Sequence, residues 1–222
     1  MLLNTILKKI LFLFFKNIKT FIKKKNIIII QSYNPYLYCE NTKYLFEYIS
    51  KYQSDKFKIY WNTNSKIISK YLSDKKLNYI NIKENPIKFL YIFLSCKILI
   101  DSGTKFLNFL GLASYDKKIV KISIYHGGGP KTLPISKAIT PERQQDIKDH
   151  DSFNYLNFPS NFLKKKCEKN FNLKNSKTLS LGFPRCDQFF YRTNKNIFKY
   201  LMNKSKRNSK IILYTPTWRG YN

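Results

Sequence analysis

The sequence predicts an α/β protein built on a Rossmann-like parallel sheet with helices on both faces. Three observations carry this. Apolar runs of strand length recur between Asn26 and Tyr214, the first of them four consecutive isoleucines. Segments of helical spacing separate these runs. Polar residues stand directly after several of the strands, which is where ligands bind in such sheets.

Composition sets the outer limits. At 222 residues, with 43% hydrophobic and 17% aromatic content, the chain has a substantial core and is not a disordered protein. The formal charge of +28 favours anionic partners. Only five of the 41 basic residues are arginine, and the lysines are spread along the chain. A specific nucleic-acid reader concentrates Arg and Lys on one element, so none is expected as a partner. Cys39, Cys96, Cys167 and Cys186 have neither CxxC spacing nor neighbouring histidines, so they are read as free thiols, with no metal site.

Residues 1–25 hold seven lysines and no acid, and their apolar residues recur at helical spacing. The longest unbroken apolar run, Ile10–Phe15, is far too short to span a bilayer. A basic amphipathic helix lying in the headgroups of an anionic phospholipid membrane is expected, which places the protein peripherally on a membrane face.

From Asn26 the elements follow in order. Asn26–Gln31 reads as a buried parallel strand, Asn34–Asn41 as a loop and Thr42–Tyr52 as a helix. Strand Phe57–Asn62, helix Lys66–Leu72 and strand Leu77–Ile82 come next. Pro86 opens a helix to about Leu94. Lys97–Ile100 is a strand ending in Asp101-Ser102-Gly103, and Lys105–Ser114 has helical character. Strand Lys118–Tyr125 runs into His126-Gly127-Gly128-Gly129-Pro130-Lys131. The polar stretch Thr132–Asp151 reads as a loop with a short helix, and His150 within it as a solvated residue. Phe153–Phe158 is a strand, and Ser160 caps a helix to about Asn170. Thr178–Leu181 is a strand closed by Gly182-Phe183-Pro184-Arg185. A helix from about Asp187 to Asn203 and strand Lys210–Tyr214 complete the series.

The candidate site gathers at strand ends. A histidine after a strand is placed for proton transfer near neutral pH. Three glycines beside it expose bare N–H groups that suit phosphate oxygens, with Lys131 as a nearby cation. Asp101, Ser102 and Arg185 occupy equivalent strand ends. Each also has a plainer role: Asp101 and Ser102 as turn formers, and Arg185 with Asp187 as a helix-capping pair.

Five passages in register resemble the CDP-glycerol glycerophosphotransferase family, which makes teichoic-acid-type glycerol phosphate polymers. Asn41–Tyr48 is similar to the family's early helix. Ser95–Ser102 is similar to its "KYLITDS"-like strand. Tyr125–Leu133 stands in the place of "WHGTPLK", with proline displaced by one position and the spacing from His126 to Lys131 kept. Gly182–Asp187 resembles "GYPRND", and Ile212–Arg219 resembles "LYAPTWR".

The resemblance implies a two-domain, glycosyltransferase-B-like architecture of which this chain is the N-terminal, acceptor-facing half. The expected division is a membrane helix at 1–25, an acceptor domain at 26–209, and a final strand with the start of a hinge at 210–222, where Trp218-Arg219 falls. The nucleotide-binding domain would follow beyond it. Transfer of glycerol phosphate, or a similar polyol phosphate, from CDP-glycerol to a membrane-linked acceptor is the implied activity, at the cytoplasmic membrane face, in teichoic acid or capsule synthesis. His126 would be the general base, with Gly127, Gly128, Gly129, Lys131, Asp101, Ser102 and Arg185 binding substrate. CDP-glycerol is the implied donor and no cofactor is required. A non-catalytic, membrane-associated protein that binds anionic polymer is the alternative.

Overall fold

The computed structural model describes residues 17, 21–103, 116–125, 144, 150–171, 173 and 177–191. The chain divides into two compact units, Met1–Cys186 and Asp187–Asn222. The described residues hold seven strands, all in the first unit: β1 Ile27–Gln31, β2 Lys58–Asn62, β3 Tyr79–Ile80, β4 Ile98–Asp101, β5 Val120–Ser123, β6 Tyr155–Asn157 and β7 Lys177–Leu179. The helices are α1 Glu40–Tyr52, α2 Lys66–Asp74, α3 Pro86–Ser95, α4 Asn161–Phe171 and α5 Pro184–Tyr191, the last of which crosses the boundary between the units.

The strands form one sheet in the order β3-β2-β1-β4-β5-β6-β7, and every neighbouring pair is parallel. The order reverses between β1 and β4. In sheets of this kind the carboxyl ends of the strands at such a reversal are where ligands bind. The expected α/β sheet is therefore present, with a switch point at its centre.

Four isoleucines make β1 a central strand, because a strand covered on both faces has no side to give to water. Ile28 and Ile30 face one layer with Ile59, Trp61 and Ile100, against Phe46 of α1 and Leu72 of α2. Ile27 and Ile29 face the other with Tyr60 and Leu99, against Phe89, Ile92 and Phe93 of α3. Each fully buried side chain of this kind contributes about 1.5–3 kcal/mol.

Local chemistry explains where the elements start and stop. Ser65 and Asn85 cap α2 and α3 by accepting from the Ile68 and Lys88 N–H groups, and Pro86 fills the first position of α3. Of the boundaries that differ from the sequence expectation, three bear on the site. α1 begins at Glu40 rather than Thr42. β5 ends at Ser123, because Tyr125 has a φ of +37° and leaves the extended region. α5 begins at Pro184, so Arg185 and Asp187 lie inside its first turn and not before it.

Two further corrections concern single residues. His150 is 7% exposed, not solvated; its ring lies 6.0 Å from that of Tyr125, which in turn packs on Phe158. Residues 21–25, expected at the end of a membrane helix, are irregular chain docked on the protein itself. Ile22 joins the α3-side core, and the Lys25 N–H donates to the Ser95 carbonyl at 2.8 Å. The rest of the expected helix, Asn17 apart, lies outside the described residues. So do the helical segment expected at Lys105–Ser114 and the strand expected at Lys210–Tyr214.

Candidate functional site

The carboxyl edge of the sheet is lined with buried polar residues. Gln31 of β1 is in register with Asp101 of β4, and Asp101 with Ser123 of β5. Asn62 of β2 extends the row by donating its amide to Gln31. All four are buried. Buried polar groups on this scale must be hydrogen-bonded, and their bonds define how the strand ends are joined.

The first junction spans the switch point. Asp101 Oδ1 accepts from the Gly103 N–H at 2.8 Å, which turns the chain sharply out of β4. Ser102 Oγ accepts from the Tyr33 N–H at 2.8 Å, tying the loop after β1 to the end of β4. The same hydroxyl donates to Glu40 Oε2 at 3.3 Å. Gly103 lies so close to Tyr33 that an added Cβ would stand 3.0 Å from the Tyr33 Cβ. Any larger residue there would press on the Tyr33 backbone.

The second junction centres on Asn41, the second residue of α1, whose relative exposure is 0%. Its Nδ2 donates to the Tyr125 carbonyl at 2.9 Å, with the Ile124 carbonyl at 3.4 Å. Its Oδ1 accepts from the Arg185 N–H at 3.4 Å. The partners fix the amide's orientation, since carbonyls need a donor and an N–H needs an acceptor. Tyr125 and Glu40 both hold positive φ, at +37° and +65°. Each such non-glycine residue costs about 1–3 kcal/mol, which the surrounding bonds must offset.

A third junction serves the turn before α5. Asn157, at the end of β6, donates to the Gly182 carbonyl at 2.8 Å and accepts from the Leu181 N–H at 2.9 Å. Gly182 turns at a φ of +82°, and Phe183 buries its ring beneath the Arg185 guanidinium, 5.1 Å away.

Of the residues read from sequence, Asp101 and Ser102 sit together at the switch point, and Arg185 is brought to the start of α1 by Asn41. Asp101 is also tied to β5, since its carbonyl accepts from the Ile124 N–H at 2.9 Å. His126, Gly127, Gly128, Gly129 and Lys131 lie outside the described residues. The positions missed by sequence reasoning are Glu40 and Asn41, which join three strand ends to one helix start. The one signal for them was an acid–amide pair directly before a helical pattern.

Electrostatics elsewhere in the unit are structural. Burial, then Glu47, pushes the Tyr38 hydroxyl far above its usual range. Burial raises the Cys96 thiol to about 12, which keeps it protonated and inert. Among the described residues no cluster of three or more His, Cys, Asp or Glu could hold a metal ion. Among them, too, no helix is long and apolar enough to cross a membrane.

A doubly wound sheet with polar strand ends at its switch point defines a ligand-binding α/β domain. The chain belongs to the CDP-glycerol:poly(glycerophosphate) glycerophosphotransferase family, whose model matches residues 12–222. It is 29% identical over 153 residues to the teichoic acid glycerol-phosphate primase of Bacillus subtilis, covering 65% of this chain and 39% of that protein. It is 22% identical over 209 residues to the teichoic acid poly(glycerol phosphate) polymerase of the same bacterium, covering 88% and 26% respectively. The chain thus spans well under half the length of these relatives. Among solved structures, a form of the wall teichoic acid polymerase TagF superposes with a TM-score of 0.66 at 19% identity, covering 89% of this chain and 49% of that one. At that identity the likeness speaks for the fold.

Proposed function

We propose that this chain is the acceptor-facing part of a CDP-glycerol-dependent glycerophosphotransferase in teichoic acid or capsule synthesis. The observation that carries this is the family match across residues 12–222, which takes in both the switch-point residues and the histidine after β5. In this role His126 accepts the proton of an acceptor glycerol hydroxyl. The freed oxygen attacks the phosphorus that bears the donor's glycerol, the bond to CMP breaks, and a new phosphodiester forms. Phosphoryl transfer of this kind needs positioning and charge neutralisation more than covalent help. Lys131 and the N–H groups of Gly127, Gly128 and Gly129 suit the phosphate charge, while Asp101, Ser102 and Arg185 frame the acceptor.

The donor wall of the cleft belongs, on this proposal, to a second domain in a glycosyltransferase-B-like arrangement. The basic residues 1–20 hold the protein peripherally at the cytoplasmic face, next to a membrane-linked acceptor. The test is CMP release from CDP-glycerol by the full-length protein with acceptor membranes. Wild-type protein is expected to release CMP, and His126→Ala to lower the rate by about 10²–10⁴-fold, the usual contribution of a general base. Binding of anionic polymer without CMP release would instead assign the accessory role.

A further inference from the structure

We propose that Asn41 is a positioning residue that sets the direction in which the chain leaves β5 and enters His126. This rests on the assignment of His126 as general base. The geometry is that of a clamp. Tyr125, the residue before His126, is held from both faces of the sheet. Its ring packs against Phe158 and His150 on the α3 side. Its carbonyl is held by the Asn41 amide from α1, on the opposite side.

The backbone between these two anchors has a φ of +37°, a conformation tyrosine adopts only when its surroundings impose it. Asn41 also accepts from the Arg185 N–H, so one buried amide fixes the exit of β5 and the first turn of α5 relative to each other. A fully buried amide on a helix start is costly unless both its ends are used. Here both are used, and both on backbone that flanks the candidate site.

Two substitutions separate the two ends of the amide. Asn41→Ala removes both bonds. Asn41→Asp keeps the acceptor for Arg185 and loses the donor for Tyr125. Thr42→Ala is the control: it removes an equally buried polar group, bonded only to the Cys39 carbonyl, one residue further along α1. In the full-length enzyme both Asn41 variants are expected to lose about 30- to 100-fold in kcat with KM for CDP-glycerol nearly unchanged, as a displaced catalytic group does. Thr42→Ala is expected to keep kcat within about twofold even where it lowers Tm comparably.

Amide hydrogen exchange provides the readout that is independent of turnover. The Ile124 and Tyr125 amides are expected to exchange faster in both Asn41 variants, while the Arg185 amide is released only in Asn41→Ala. If wild-type protein releases no CMP, the transferase assignment fails, and the exchange pattern still decides the clamp. Should the variants not fold, the Asn41 side-chain amide protons of wild-type protein are expected to exchange slowly; rapid exchange overturns the proposal. Equal kcat losses in Asn41→Asp and Thr42→Ala, tracking stability alone, overturn it as well.

Discussion

Gly103 leaves only a tight space for a methyl group. Its added Cβ would meet the Tyr33 Cβ at 3.0 Å and the Tyr33 Cα at 3.3 Å, and a backbone atom cannot swing away. Gly103→Ala is expected to cost about 1–3 kcal/mol, the range for overpacking a tight site, read as a lower urea midpoint. Lys121 raises a different issue. It is buried on β5, and loss of solvation lowers its ammonium pKa from the ordinary 10.5, partly countered by Asp116. A lysine whose pKa falls on folding burdens the folded state while it stays charged, and the burden disappears as pH rises through the unfolded value. Lys121→Met is therefore expected to raise Tm at neutral pH, by an amount that shrinks as pH rises towards about 10.4 and is gone above it. Thermal melts of both proteins across that range check it. Neither residue announces its position in the sequence. His150 is harder still, since Lys148-Asp149-His150-Asp151 reads as solvated surface while the fold buries the ring among aromatics. A window of local polarity cannot report a contact made by Tyr125, far away in sequence.

At the scale of elements, the segment before β1 is fastened by charge. Lys24 Nζ lies 2.8 Å from Asp116 Oδ2 and 2.9 Å from the Leu94 carbonyl, with side-chain exposures of 12% and 8% for the ion pair. Lys24 looked like one of seven equivalent lysines at the N-terminus, yet it serves the protein's own interior. Asp116→Ala leaves the Lys24 ammonium largely buried without its carboxylate, and is expected to cost about 3–5 kcal/mol in equilibrium unfolding. The paired replacement Lys24→Met with Asp116→Leu should recover much of that, because it removes the charge with its partner. Element type was legible nearly throughout: the strands by their β-branched runs, the helices by their spacing, and α3 also by Pro86. The start of α1 was not. Glu40 enters the helix at a φ of +65°, a conformation that the Ser102 bond sustains and that no propensity predicts.

At the scale of the molecule, the parallel sheet and the polar residues at its carboxyl edge were both readable, because repeated strand–helix units leave few topologies open. Asp101, Ser102 and Arg185 were found by their places after strands. Asn41 was not, since its importance comes from three backbone groups that the fold alone brings to it. The central position of β1 has a consequence for synthesis. Ile28 pairs with Ile59 early, yet its other partner, Ile98, lies roughly 70 residues downstream. Until β4 has left the ribosome, one edge of an isoleucine-rich strand stays open to any other extended chain. Lys23, Lys24 and Lys25 stand directly ahead of it, where a cluster of like charge discourages two nascent copies from pairing.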